Sequence, residues 1–147
     1  IFKPLIQEAN QYQTVHITID DGKVSAIRPV SGLLPALKSL GMDLEPVICG
    51  GDDEWDQERE QWHSGANFFA FAPGKVITYG RNIHTLEELD RNGFNVVRAV
   101  DFISGHADDA VFGNKPCAVA IDGSELPRGG GGARCMTMPL SRQKVNW

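Results

Sequence analysis

A chain of 147 residues with 41% hydrophobic and 22% charged residues is long enough for one domain with a real core, and too apolar for wholesale disorder. Its formal net charge of −5, with no Lys/Arg cluster to offset it, argues against a nucleic-acid surface. No apolar run reaches the roughly 18 residues of a membrane span, and the opening IFKPLIQEAN lacks the basic-then-apolar pattern of a secretory signal.

Residues 1–147 are read as a single domain, and the missing initiator methionine as the mark of a chain processed or cut from something longer. The cysteines are Cys49, Cys117 and Cys135. An odd number without a regular framework reads as reduced thiols in a cytoplasmic protein. His16, His63, His84 and His106 are scattered and no CxxC or HExxH spacing occurs, so neither a metal site nor a cofactor is expected.

Thr14 to Ile19 (TVHITI) alternates and is rich in β-branched residues, which predicts a half-buried strand. Asp20-Asp21-Gly22 turns the chain, and Lys23 to Arg28 returns as the second arm of a hairpin. His16 lies in the first arm, where a histidine satisfied within a sheet is the simpler reading. Ser31 is expected to cap a helix to about Leu40, with Leu33, Leu34, Leu37 and Leu40 on one face, Pro35 in its first turn and Gly41 as its stop. Leu44 to Cys49 then reads as a strand ending at Gly50-Gly51.

Asp52 to Trp62 (DDEWDQEREQW) predicts a charged helix laid on a surface by the edge that carries Trp55, Arg59 and Trp62. Asp52 and Asp53 could serve chemistry just beyond the glycine pair, but a helix-capping role at the positive end of the dipole suits them better. In NFFAFAPGKVITY, Asn67 to Tyr79, two apolar arms flank a Pro73-Gly74 turn. Thr85 and Glu88 have capping-box spacing, opening a helix that runs to Asn92-Gly93, and Phe94 to Ala99 is the next strand. The element order β-β-α-β thus occurs twice at a spacing of about fifty residues. Asp101 to Pro116 has no periodicity and reads as a surface loop with His106 exposed; Cys117 to Ile121 (CAVAI) is a short core strand.

The stretch SELPRGGGGARCMTMPL, Ser124 to Leu140, carries the chemistry. Glycines in series let a backbone approach a ligand closely, and a cysteine beside an arginine just after them is placed for a lowered thiol pKa. The bland alternative is a flexible loop followed by a core strand with an inert buried thiol.

Three segments together resemble a known family: ICGGDD with EREQWHSGAN (Ile48 to Asn67), APGKVITYGRN (Ala72 to Asn82), and GSELPRGGGGARCMTMPLSR (Gly123 to Arg142). In this order they resemble the C-terminal part of arginine deiminases, members of the guanidine-modifying (pentein) superfamily. The similarity runs from about Leu44 to Trp147 and is interrupted over Asp101 to Ala120; before Leu44 only the element order agrees. The resemblance implies an α/β fold of ββαβ units in a five-bladed α/β propeller, with about two of the five units and the closing strand in this chain. It implies L-arginine as substrate, Cys135 as the nucleophile that attacks the guanidinium carbon, loss of ammonia, and release of citrulline by water that a histidine activates. A poor, resonance-stabilised electrophile is a reason for such a covalent route.

The same resemblance turns the backbone of Gly129 toward the substrate. At Gly130 some members carry an arginine that helps hold the substrate carboxylate. Arg128 reads equally as a loop salt-bridge partner or a ligand contact. Cys135 and Thr137 should face the site while Met136 and Met138 pack inward. The family's base lies in a His-x-Asp motif. That spacing occurs once here, at His106-Ala107-Asp108 in the unpatterned loop, and is taken as chance. The true motif and the guanidinium-binding carboxylates are expected before Ile1, so the chain by itself is expected to be inactive. A related guanidine-modifying enzyme with another substrate is one alternative. A non-catalytic scaffold or binding fragment, whose exposed blade edges seek a partner such as a second copy, is the other. A cysteine phosphatase is set aside, because Arg142 lies one residue too far from Cys135 for a C-x5-R loop and Pro139 interrupts it.

Overall fold

The computed structural model describes residues 1–7 and 12–141 and divides the chain into two compact units, residues 1–48 and 49–147. It is a mixed α/β structure with two sheets.

In the first unit, β1 (Thr14–Asp20) and β2 (Lys23–Val30) form an antiparallel hairpin that pairs Ile17 with Ile27. Its turn uses Asp21 and Gly22, both at positive φ. The predicted half-buried face is not found: Val15, Ile17, Ile19, Val24 and Ile27 are exposed. Helix α1 (Leu33–Ser39) follows, with Pro35 in its first turn and Gly41 at φ 85° just beyond it. Ser31 does not cap it; the N-cap is Gly32, and no side chain bonds there. The strand expected over Leu44 to Cys49 does not form. Pro46 lies in the middle of that stretch and removes a donor that a ladder would need.

The second unit is built on a four-stranded sheet ordered β3-β4-β6-β5, and two of its α-helices directly follow strands in sequence. β3 (Phe69–Ala72) and β4 (Lys75–Tyr79) are antiparallel about the Pro73-Gly74 turn, as the sequence predicts. β6 (Cys117–Ile121) runs parallel to both β4 and β5 (Asn95–Arg98). A strand with parallel neighbours on both sides is covered on both faces, which accounts for the unbroken apolar run CAVAI. Cys117 and Ala118 are fully buried, and burial pushes the Cys117 thiol up. Ile77, Val97, Ala99 and Phe102 pack around a core of Val111, Cys117 and Val119.

The stretch expected to be a loop from Asp101 to Pro116 is instead helical over half its length. It contains most of α4 (Ala99–Ile103) and all of α5 (Asp108–Phe112). Five-residue helices are too short to show a period. Their role is to bury Ala107 and Val111 and to set Phe102 edge-on against Phe112, ring centres 5.6 Å apart. His106 is exposed, as expected.

Helix α2 (Glu54–Trp62) ends where predicted and starts two residues later, and Asp53 caps it by accepting from the N–H groups of Trp55 (2.9 Å) and Asp56 (3.1 Å). Its buried face is the reverse of the predicted one. Trp55 and Trp62 are 81% and 82% exposed, whereas Gln57 and Glu60 are buried. The reason is the neighbouring helix α3 (Ile83–Arg91). The Glu60 carboxylate accepts from the N–H of His84 (3.1 Å), the N–H of Thr85 (2.8 Å) and the hydroxyl of Thr85 (2.7 Å). It therefore supplies, from another helix, the cap that Thr85 and Glu88 were expected to form locally. Thr85 Oγ1 also accepts from Gly50 N–H (2.9 Å) and lies 3.4 Å from Cys49 Sγ, whose thiol is pushed up by burial.

Candidate functional site

The glycine-rich loop and Cys135 lie beyond the C-terminal ends of β4 and β6, the end of a parallel sheet at which open α/β folds place ligands. β6 ends at Ile121, whose carbonyl accepts from Gly80 N–H just past β4 (2.9 Å). From there the chain runs through one 3-10 turn (Leu126–Gly129) into the glycines and a second (Arg134–Met136) that contains Cys135. Tyr79, the last residue of β4 and 1% exposed, directs its hydroxyl at Gly131 O (3.5 Å) and Met136 Sδ (3.6 Å). The sheet end thereby supports the loop from below.

Cys135 is exposed, the other two cysteines buried. Its Sγ accepts a hydrogen bond from Asn67 Nδ2 at 3.0 Å. Its thiol is held below the usual value, first by a hydrogen bond with the Gly132 backbone and next by the Asn67 amide; the Arg134 charge adds a smaller push in the same direction. A charge at Cys135 in turn adds to burial in raising the Tyr79 hydroxyl. These are surroundings that favour the thiolate over the thiol.

The loop fits against Asn67 because it lacks side chains. A Cβ on Gly132 would fall 2.5 Å from Asn67 Cβ and 2.8 Å from its carbonyl oxygen. Gly130 and Gly131 take φ 79° and 105°, which side chains oppose. A hollow of about 460 Å³ adjoins this contact, lined by Gln61, Ser64, Ala66, Asn67, Phe68 and Arg134. That volume is within the range of small-molecule sites.

The other predicted residues stand apart from the thiol. Gly129 and Gly130 are exposed with open space where a Cβ would be. Arg128 pairs with Glu125 at 2.6 Å, three residues earlier. Met136 and Met138 are not buried: they are 53% and 78% exposed, because residues 134–136 form a 3-10 turn in which strand alternation has no meaning. Among the described residues no strand follows β6, so the expected closing strand is not seen. His106-Ala107-Asp108 stays at the α4–α5 junction, where His106 N–H donates to Asp101 O (2.9 Å).

Sequence reasoning missed Asn67 and Tyr79. Both read as members of strand arms, and Asn67 is 68 residues from the cysteine it contacts. Among the described residues no group of three or more His, Cys, Asp or Glu converges to hold a metal ion, and no helix is long and apolar enough to cross a membrane.

The sequence model of one protein family, described as Arginine deiminase, matches residues 4–142. The chain is similar to the arginine deiminase of Clostridium perfringens, with 41% identity over 108 residues, 74% of this chain and 21% of the relative. It is 39% identical over 106 residues to that of Borrelia garinii, covering 72% of this chain and 20% of the relative. Against that of Streptococcus uberis it is 33% identical over 131 residues, covering 88% of this chain and 27% of the relative. The chain therefore spans about a fifth to a quarter of the length of these relatives.

Proposed function

The chain belongs to the arginine deiminase family, and on that premise we propose that it supplies the nucleophile and substrate loop of an enzyme that hydrolyses L-arginine to L-citrulline and ammonia. The observation that carries the proposal is the exposed Cys135 at the end of the glycine loop, its thiol lowered by Gly132 and Asn67.

The Cys135 thiolate adds to the guanidinium carbon, forming a C–S bond. A C–N bond breaks, and the nitrogen leaves as ammonia once it has taken up a proton. Water then adds to the same carbon, the C–S bond breaks, and the ureido group of citrulline leaves with the thiolate restored. Splitting the displacement in two relieves the single hard step of attacking a delocalised cation with water. Gly129 and Gly130 present backbone at the mouth of the loop, and Arg128 is available to the substrate carboxylate by exchanging its exposed Glu125 partner.

The base that activates water and the carboxylates that grip the guanidinium are assigned to polypeptide that this chain does not span, so the chain alone is expected to be inactive. β3, β4, α3 and β5 are read as one ββαβ unit of an α/β propeller, the hairpin and α1 as part of another. The enzyme is placed in the cytoplasm, needs no cofactor, and has a small guanidine compound as its partner.

The test is turnover. The full-length protein that carries this chain should release citrulline and ammonia from L-arginine, and do so far faster than it hydrolyses agmatine, which has the guanidine but no carboxylate. No turnover of arginine with Cys135 reduced would refute the proposal.

A further inference from the structure

We infer that Asn67 is a positioning residue for the Cys135 nucleophile: its side-chain amide donates to Sγ, fixes the sulfur in place and favours its thiolate form. The inference rests on the reading of Cys135 as nucleophile. Its basis is geometric. Asn67 precedes β3 at the point where the chain leaves the turn after α2, and it is fixed there by its N–H donating to Ser64 O (3.0 Å). Its carbonyl accepts from Arg134 N–H at 3.4 Å, one residue before the cysteine, while Nδ2 donates to Sγ at 3.0 Å. One residue thus grips both the backbone and the side chain of the reactive turn.

The donor's direction decides its effect. An amide N–H gives a stronger bond to the thiolate than to the thiol, so the contact favours the charged form. Gly132 is the condition for it, since a Cβ there would overlap Asn67 Cβ and Cγ. Asn67 also lines the hollow alongside Arg134, the residue before the cysteine.

The experiment is the pH dependence of Cys135 alkylation by iodoacetamide in the full-length protein, with a Cys135→Ser variant giving the background from the other cysteines. Asn67→Ala should move the midpoint up by roughly one pH unit, and alkylation at neutral pH should slow severalfold. Asn67→Asp, of nearly the same shape, should move it at least as far, because a carboxylate replaces the donor and opposes the thiolate. In turnover, kcat should fall with a more alkaline optimum while KM changes little.

A folded variant of either kind with an unshifted midpoint would overturn the inference. So would unfolding of both variants, which would assign Asn67 to the fold alone. Alkylation needs no arginine, so failure of the deiminase reading would show as absent turnover with the alkylation shift intact.

Discussion

Cys135→Ser is expected to lower citrulline formation by the full-length protein by on the order of 10³-fold or more, with little change in thermal stability. A serine hydroxyl in the same place is almost entirely protonated, and the Gly132 and Asn67 contacts that lower a thiol cannot bring an alcohol into the titrating range. Cys135 is exposed, so the replacement removes almost no packing. The corresponding changes at Cys49 and Cys117 should have the opposite profile. Both are buried with thiols pushed up, and their loss should affect stability before chemistry. Rate should be followed by citrulline release and folding by thermal denaturation. Retention of a tenth or more of the activity by Cys135→Ser would mean that the nucleophile is elsewhere.

The second large effect is structural. Glu60→Ala removes the acceptor for two backbone N–H groups at the start of α3 and for the Thr85 hydroxyl, in a place where Glu60 itself is fully buried. Orphaned buried donors cost about 1–3 kcal/mol each and do not add in full, so a loss of about 3–5 kcal/mol is expected. Recovery of the desolvation penalty of the carboxylate offsets part of it. That corresponds to a fall of roughly 10 °C in Tm. Glu60→Gln keeps one acceptor oxygen and should cost about half as much. A change in Tm below about 2 °C for Glu60→Ala would contradict the assigned cap.

What could be read from the sequence was what is local. The Pro73-Gly74 turn, the Asp53 cap and the short core strand CAVAI are each decided by a few adjacent residues, and each is found. The errors share a cause in contacts between distant positions. Trp55 and Trp62 suggested the inner edge of α2, but that helix turns Gln57 and Glu60 inward because Glu60 is needed by α3 and Gln57 Nε2 by the carbonyl of Gly51 (2.7 Å). Thr85 and Glu88 have the spacing of a local cap, yet the helix starts at Ile83 and Glu60 takes the N–H groups of His84 and Thr85. The helices over residues 99–112 are held by burial of Val111 and by one pair of phenylalanine rings, neither of which leaves a period in ten residues.

The candidate site divides in the same way. Cys135 and its glycine loop are contiguous and stand out in the sequence. Asn67, which contacts the sulfur, carries no local sign of that role, and only the folded backbone brings it there.

The central claim is that Cys135 bonds covalently to the guanidinium carbon during turnover. It is tested most directly by acid-quenching the full-length enzyme with arginine labelled at that carbon and finding the label by peptide mass spectrometry. The expected adduct on the Cys135 peptide is arginine less ammonia, joined through its guanidine carbon to the sulfur, absent from Cys135→Ser and discharged on further incubation before quenching. Citrulline formed with label on no cysteine, or on a peptide other than that of Cys135, would contradict it.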